Sequence, residues 1–130
     1  MISHITLGTR DLARARSFYD PMLQLLGWRL SFEAEDWLGW TPQDAESPLL
    51  SITFPEDGAP AAPGNGVMVA LEAPSQSAVR KAHQIGLTKG GSDAGAPGLR
   101  PQYHANFYGG YLRDPDGNKL CICCQRAIAS

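Results

Sequence analysis

The sequence predicts an α+β fold built from two βαβββ modules, and three observations support it. The first is the order of periodicities: a strand pattern, a helical pattern and three further strand patterns fill the chain before residue 55, and the same order then begins again. The second is an internal correspondence. Displacing the second half by 64 positions, the separation of Met68 from His4, also lays Leu71 on Leu7, Ser75 on Asp11 and Gly91 on Gly27. The third is residues 55–65, rich in Pro, Gly and Ala and without periodicity, which read as a linker. The expected organisation is a single domain, 1–130, with module one at about 1–54, the linker at 55–65 and module two at about 66–124.

Residues 2–8 alternate His4 and Thr6 against Ile5 and Leu7, a strand with one apolar face and a histidine on the other. Thr9 or Asp11 caps the helix that follows. In it Leu12, Ala15, Phe18, Tyr19, Met22, Leu23 and Leu26 recur at helical spacing, and Gly27 stops it. Pro21 is expected to kink or restart this helix, with Asp20 as a second cap. Residues 28–32, 37–41 and 49–54 are strands separated by polar, Pro-bearing turns. In the second half, 67–72 is a strand, Ser75 caps a helix carrying Ala78, Val79, Ala82 and Ile85, and Gly86 with Gly90 and Gly91 ends it. A weak strand at 88–92 and a long loop from Gly90 to Asn106 come next, then a strand at about 107–113.

The last strand follows a tight turn at Asp114, Pro115, Asp116 and Gly117. Pro115 presets φ, Gly117 tolerates positive φ, and the Asp side chains bond nearby amides. Beyond it Lys119, Cys121 and Cys123 alternate with Leu120, Ile122 and Cys124, so one set faces something other than the apolar core.

With 130 residues, 43% hydrophobic and a net charge of −2, the chain is long enough for a single core that buries roughly two thirds of the unfolded surface. Its charge balance gives no reason to expect nucleic acid or an anionic membrane as partner, and no run of ~18 apolar residues occurs. Arg10, Arg14 and Arg16 read as a solvated helix face, and His83 as a surface residue of the second helix. The three cysteines, odd in number and crowded along one strand, suit a reducing compartment, so a cytoplasmic protein is expected.

Taken together, His4 on its strand, Asp11-Leu12, Ser17-Phe18-Tyr19, Leu26-Gly27, the strand at 66–71 and the run at 114–120 resemble the vicinal oxygen chelate superfamily of glyoxalase I, bleomycin resistance proteins and extradiol dioxygenases. The loop with Arg100, Pro101, Tyr103 and His104, followed by Tyr108-Gly109 and 118–121, is similar to a bacterial group of small glyoxalase-like proteins. The resemblance implies an incomplete eight-stranded mixed β-barrel with a cleft, commonly in a homodimer. It also implies a metal site drawn from the first and last strands of each module, the four positions being His4, Ser51, Met68 and Cys121. Only His4 matches the ligands of glyoxalase I, so no metal, no cofactor and no lactoylglutathione lyase activity are expected, although the fold is that of a lyase family.

Within that frame the candidate catalytic residues are His4, Cys121 and His104. The candidate ligand contacts are Arg100, Tyr103, Ser51, Met68 and Lys119, around a small-molecule ligand for which an anion is the better match. The tryptophans Trp28, Trp37 and Trp40 read mostly as packing. Three functions compete: a glyoxalase-like enzyme, a metal-free binding or drug-sequestering protein, and a soft-metal site in which His, Met and Cys hold a copper(I)-like ion. The expectation for the site is that His4, Ser51, Met68 and Cys121 face one cleft. Ile5, Leu7, Ile52, Val69, Leu71 and Ile122 then pack under the helices.

Overall fold

A computed structural model describes residues 1–127. Its elements run β1 (His4–Gly8), α1 (Leu12–Leu25), β2 (Trp28–Glu33), β3 (Trp37–Pro42), β4 (Leu49–Thr53), β5 (Met68–Glu72), α2 (Gln76–Thr88), β6 (Ser92–Leu99), β7 (Tyr108–Arg113) and β8 (Lys119–Cys124). They form two four-stranded mixed sheets, ordered β1-β4-β3-β2 and β5-β8-β7-β6, and neither closes into a barrel. In each, the first strand runs parallel to the last and the remaining pairs are antiparallel.

The two halves repeat in detail. Asp11 caps α1 by accepting from Arg14 N, and Ser75 caps α2 by accepting from Ala78 N, each at 3.0 Å and at matching places in the repeat. Thr6 lies opposite Ser51 in β1 and β4, as Ala70 lies opposite Cys121 in β5 and β8. Alternation then sorts the side chains. Leu7, Leu50, Ile52, Val69, Leu71, Leu120 and Ile122 enter one core shared by both modules and covered by Phe18, Met22, Val79 and Ala82, with Ile5 packed at its margin.

Several local expectations are corrected. α1 runs unbroken through Pro21, because the residues flanking it, Phe18, Tyr19, Met22 and Leu23, are buried and hold the helix although one backbone donor is missing. Asp20 caps nothing; its carboxylate accepts from Trp40 Nε1 at 3.0 Å and Gln24 Nε2 at 3.1 Å. α2 continues past Gly86 to Thr88. Gly86 is instead a packing site, where a Cβ would collide with Leu112 and approach Phe18 to 3.4 Å. The weak strand lies at Ser92–Leu99, within the expected long loop. It is a bulged edge strand carrying Gly95, Pro97 and Gly98, residues that break the alternation a sequence reading depends on. The true loop is short and closes on itself through Arg100 N to Phe107 O (2.8 Å) and Tyr103 N to Arg100 O (3.0 Å).

The 114–117 turn does more than join strands. Asp114 Oδ1 accepts from the Asp116 and Asn118 amides as a turn aspartate should, but its Oδ2 takes the Tyr19 hydroxyl at 2.5 Å. Asp116 accepts from Thr9 Oγ1 (2.5 Å), Arg10 N (2.9 Å) and Arg14 Nη2 (2.7 Å), and Asn118 donates to Gly8 O (2.9 Å). The arginine run is solvent-exposed as expected, but its members are also paired. Arg14 is tied to a carboxylate only 2% exposed and Arg16 pairs with Glu33 at 2.5 Å. Burial holds the Tyr19 phenol well above its ordinary pKa, with Asp114 adding to the effect. Burial also raises Asp114, against the opposing bonds from Tyr19 and Asn118.

Candidate functional site

The face of each sheet opposite the helices carries the residues left out of the core. On the second sheet, Met68, Ala70 and Glu72 of β5 pair with Lys119, Cys121 and Cys123 of β8, and Cys121 pairs in turn with Tyr111 of β7. Tyr111 is the hub of this face. The guanidinium carbon of Arg100 stands 5.5 Å and Lys119 Nζ 5.4 Å from its ring centroid, so two cations share one aromatic ring. These residues, with Met68, Gln102 and Tyr103, line an open hollow of about 390 Å³ built from the second module alone. The Arg100 guanidinium is steadied by Ala96 O at 2.7 Å. Burial, with the Tyr103 hydroxyl second, pushes the Tyr111 phenol up to about 12.

Cys121 lies beside this hollow, 1% exposed. Its thiol is held below the ordinary range by the neighbouring Cys123 thiol first, with Tyr111 and the Arg100 charge acting the same way against burial. Cys123 is displaced upward by the neighbouring Cys121 thiol, with burial and Glu72 adding to it. A chain of hydrogen bonds continues outward. Cys123 Sγ donates to Glu72 Oε2 at 3.4 Å, and Gln125 Nε2 donates to the same oxygen at 3.4 Å. Gln125 Oε1 then meets His104 Nε2 at 3.1 Å. Asn106 N donates to His104 Nδ1 at 3.1 Å, which leaves Nε2 as the protonated nitrogen toward Gln125. Cys123 and His104 thus belong to one connected system, with Cys121 two residues away on the same face of β8, while His104 itself stands at the surface beside Phe107.

The other two candidates sit on the first sheet. His4 is exposed, its Nδ1 3.0 Å from Ser3 Oγ, and Ser51 is buried beneath Trp37, whose indole donates to its hydroxyl. Phe32 packs on Trp37 with ring centroids 4.6 Å apart. Trp40 is fully buried in the core, and Trp28 is partly buried. No hydrogen bond or ion pair among the described residues links His4 or Ser51 to Met68 or Cys121. His83 is corrected from surface to interior. It is 5% exposed, with Nε2 3.0 Å from Tyr111 O and 3.2 Å from Asp93 Oδ1, and so braces the strand that carries Tyr111.

The positions to which the resemblance assigns metal ligands hold an imidazole, a hydroxyl, a thioether and a thiol. Ser51 already accepts a bond from Trp37, Met68 is 45% exposed, and His4 lies on a different sheet from Met68 and Cys121. This set does not fit a divalent ion held by nitrogen and oxygen, and no group of three His, Cys, Asp or Glu side chains able to hold a metal occurs among the described residues.

Sequence reasoning missed Tyr111, Cys123 and Gln125 as members of this system, whereas Glu72 shares the parity of Met68 and was readable as facing the same way. The parity of Cys121 and Cys123 in β8 was readable, but the strands opposite them follow only from the register.

Comparison with known proteins agrees with this architecture. The model of the Glyoxalase/Bleomycin resistance protein/Dioxygenase superfamily matches residues 1–122. The crystal structure of a glyoxalase/bleomycin resistance protein from Albidiferax ferrireducens T118 is 32% identical, covering 97% of this chain and 99% of that one at a TM-score of 0.86. A glyoxalase-related enzyme from Fulvimarina pelagi (22% identical, 95% of this chain and 87% of that one, TM-score 0.75) has the same fold. So does a glyoxalase/bleomycin resistance protein/dioxygenase family enzyme from Burkholderia phytofirmans PsJN (20%, 95% and 98%, TM-score 0.73). No curated protein matches the chain. Two repeated βαβββ modules, open mixed sheets and a family match over nearly the whole length lead to one assignment: the chain belongs to the Glyoxalase/Bleomycin resistance protein/Dioxygenase superfamily.

Proposed function

We propose that the protein binds a small organic anion on the face of its second sheet. Arg100 and Lys119 supply the charge, Tyr103 and Tyr111 the flat walls, and Met68 an adaptable apolar contact. One observation carries this reading: two cations without an acidic partner among the described residues flank the same tyrosine in one hollow. Cys121 is the candidate catalytic thiol beneath the hollow, covered by Tyr111, and His104 positions Glu72 through Gln125. The free thiols suit a reducing compartment.

The same reading has two copies pair as a homodimer. The His4–Ser51 face of one covers the hollow of the other, which would shield Phe32, Trp37, Val67 and Met68, all exposed in the single chain. It excludes lactoylglutathione lyase activity, because the inherited ligand positions offer no carboxylate to hold a metal or move a proton.

Thermal stabilisation by a panel of carboxylates and phosphonates tests the anion site, with Arg100→Ala and Lys119→Ala as controls. Stabilisation of the wild type that both variants lose is expected; hits that stabilise the variants equally overturn the site. Light scattering reports the dimer. Isomerisation of the methylglyoxal–glutathione hemithioacetal in the presence of nickel or zinc would overturn the excluded activity.

A further inference from the structure

We infer that a second anion subsite, built on Arg113 and Lys119, adjoins the Arg100 hollow, and that the natural ligand is a small dianion with a negative group at each end. The inference rests on the reading of the Arg100 hollow as an anion site and extends it.

Arg113 closes β7 and Lys119 opens β8, and the register sets them directly opposite each other. By alternation they share the face of Tyr111 and Cys121. Like charges directly opposite on one face are destabilising, and neither has a carboxylate partner among the described residues. Arg113 is nonetheless held in place, its Nη1 donating to Gly117 O at 2.8 Å. An uncompensated pair of fixed cations calls for an anion from outside.

There is room for one. A cavity of about 710 Å³ is lined by Arg113, Lys119, Gly117, Met68 and the stretch around Asn65, whose amide adds a neutral donor. It shares Met68 and Lys119 with the Arg100 hollow, so the two spaces meet at Lys119, and neither is lined by Asp or Glu. The acids near enough to matter are engaged elsewhere. Asp114 and Asp116 turn inward to Tyr19 and to Thr9 and Arg14. Asp93 is taken by His83 and the Gly95 amide. Glu72 is turned to Cys123 and Gln125, four residues along β5 from the partner of Lys119, roughly 13 Å at the rise of a strand. The field along the joined groove is therefore positive at Arg100, Lys119 and Arg113, and a dicarboxylate, or a carboxylate bearing a phosphonate, satisfies all three.

Calorimetry with length-matched pairs tests this: glutarate against valerate and adipate against hexanoate. In the wild type at least one dicarboxylate is expected to bind about tenfold more tightly than its monocarboxylate. Arg113→Gln should abolish that preference while leaving monocarboxylate affinity within about twofold, and Arg113→Lys should restore much of it. Arg100→Gln should weaken both members of each pair. Thermal melts of all variants identify any that fail to fold, and Arg113→Lys then carries the comparison, with a preference expected to survive. Monocarboxylates binding as well as dicarboxylates, or a preference that survives Arg113→Gln, would overturn the second subsite and leave the Arg100 site standing. Binding that ignores Arg100→Gln overturns the anion reading itself, and the absence of carboxylate binding to wild type overturns both.

Discussion

The Tyr19 hydroxyl donates to Asp114 Oδ2 at 2.5 Å, joining the first helix to the last turn across 95 positions of sequence, with both side chains buried. Tyr19→Phe leaves the ring packing intact and removes one partner from a buried carboxylate. It should lower the unfolding free energy by about 1–3 kcal/mol in urea denaturation. An unchanged denaturation midpoint would mean that the bond contributes nothing net.

The same residue gives the protein an alkaline limit. The folded pKa of Tyr19 is raised by burial, so above about pH 10 the unfolded chain releases a proton that the native state retains. The stability this contributes is fully present below pH 10 and is lost as pH rises beyond it, by at most about 1.4 kcal/mol per pH unit for one group. Denaturation from pH 9 to 11 should show that slope in the wild type and a shallower one in Tyr19→Phe.

Asp116→Ala strips a common acceptor from Thr9, the Arg10 amide and Arg14 at once. A loss of about 1–3 kcal/mol is expected, chiefly from the Thr9 hydroxyl and Arg10 amide left without their acceptor, because the Arg14 side chain is 42% exposed and regains water. Denaturation of the two variants side by side ranks them.

Gly86 lies where α2 crosses Leu112 and Phe18. Although alanine is the better helix former, Gly86→Ala should destabilise by about 1–3 kcal/mol through overpacking. A gain in melting temperature would show that Leu112 has an alternative rotamer to move into.

Cys121, Cys123 and Cys124 are all buried. A thiol reagent added to native protein should therefore react slowly, with three thiols titrating quickly once the chain is unfolded. Tyr111→Ala removes the ring opposite Cys121 and should speed modification of that residue alone, as mass spectrometry of the labelled peptide would establish.

Legible in the sequence were the repeated βαβββ order, a first cap at Thr9 or Asp11, the cap at Ser75, the stop at Gly27 and the division of β8 into Cys121 and Ile122 faces. Each of these is written in local periodicity, or in a residue whose own backbone preference decides the matter. The sequence also grouped Arg100, Tyr103, Ser51, Met68 and Lys119 around one cleft; four of these line one hollow, and Ser51 lies on the other sheet. Tertiary structure alone decided the rest. β6 is a strand because β7 offers it an edge, not because its Gly- and Pro-bearing residues prefer extension. His83 is interior because α2 lies over Tyr111 and Asp93, and Arg14 is paired because the 114–117 turn folds back on the start of α1. Register and long-range docking bring together residues up to 110 positions apart, such as Gly8 and Asn118. A contact of that kind leaves no periodic trace in either segment, since each residue is locally compatible with solvent and becomes buried only when the two modules share a core.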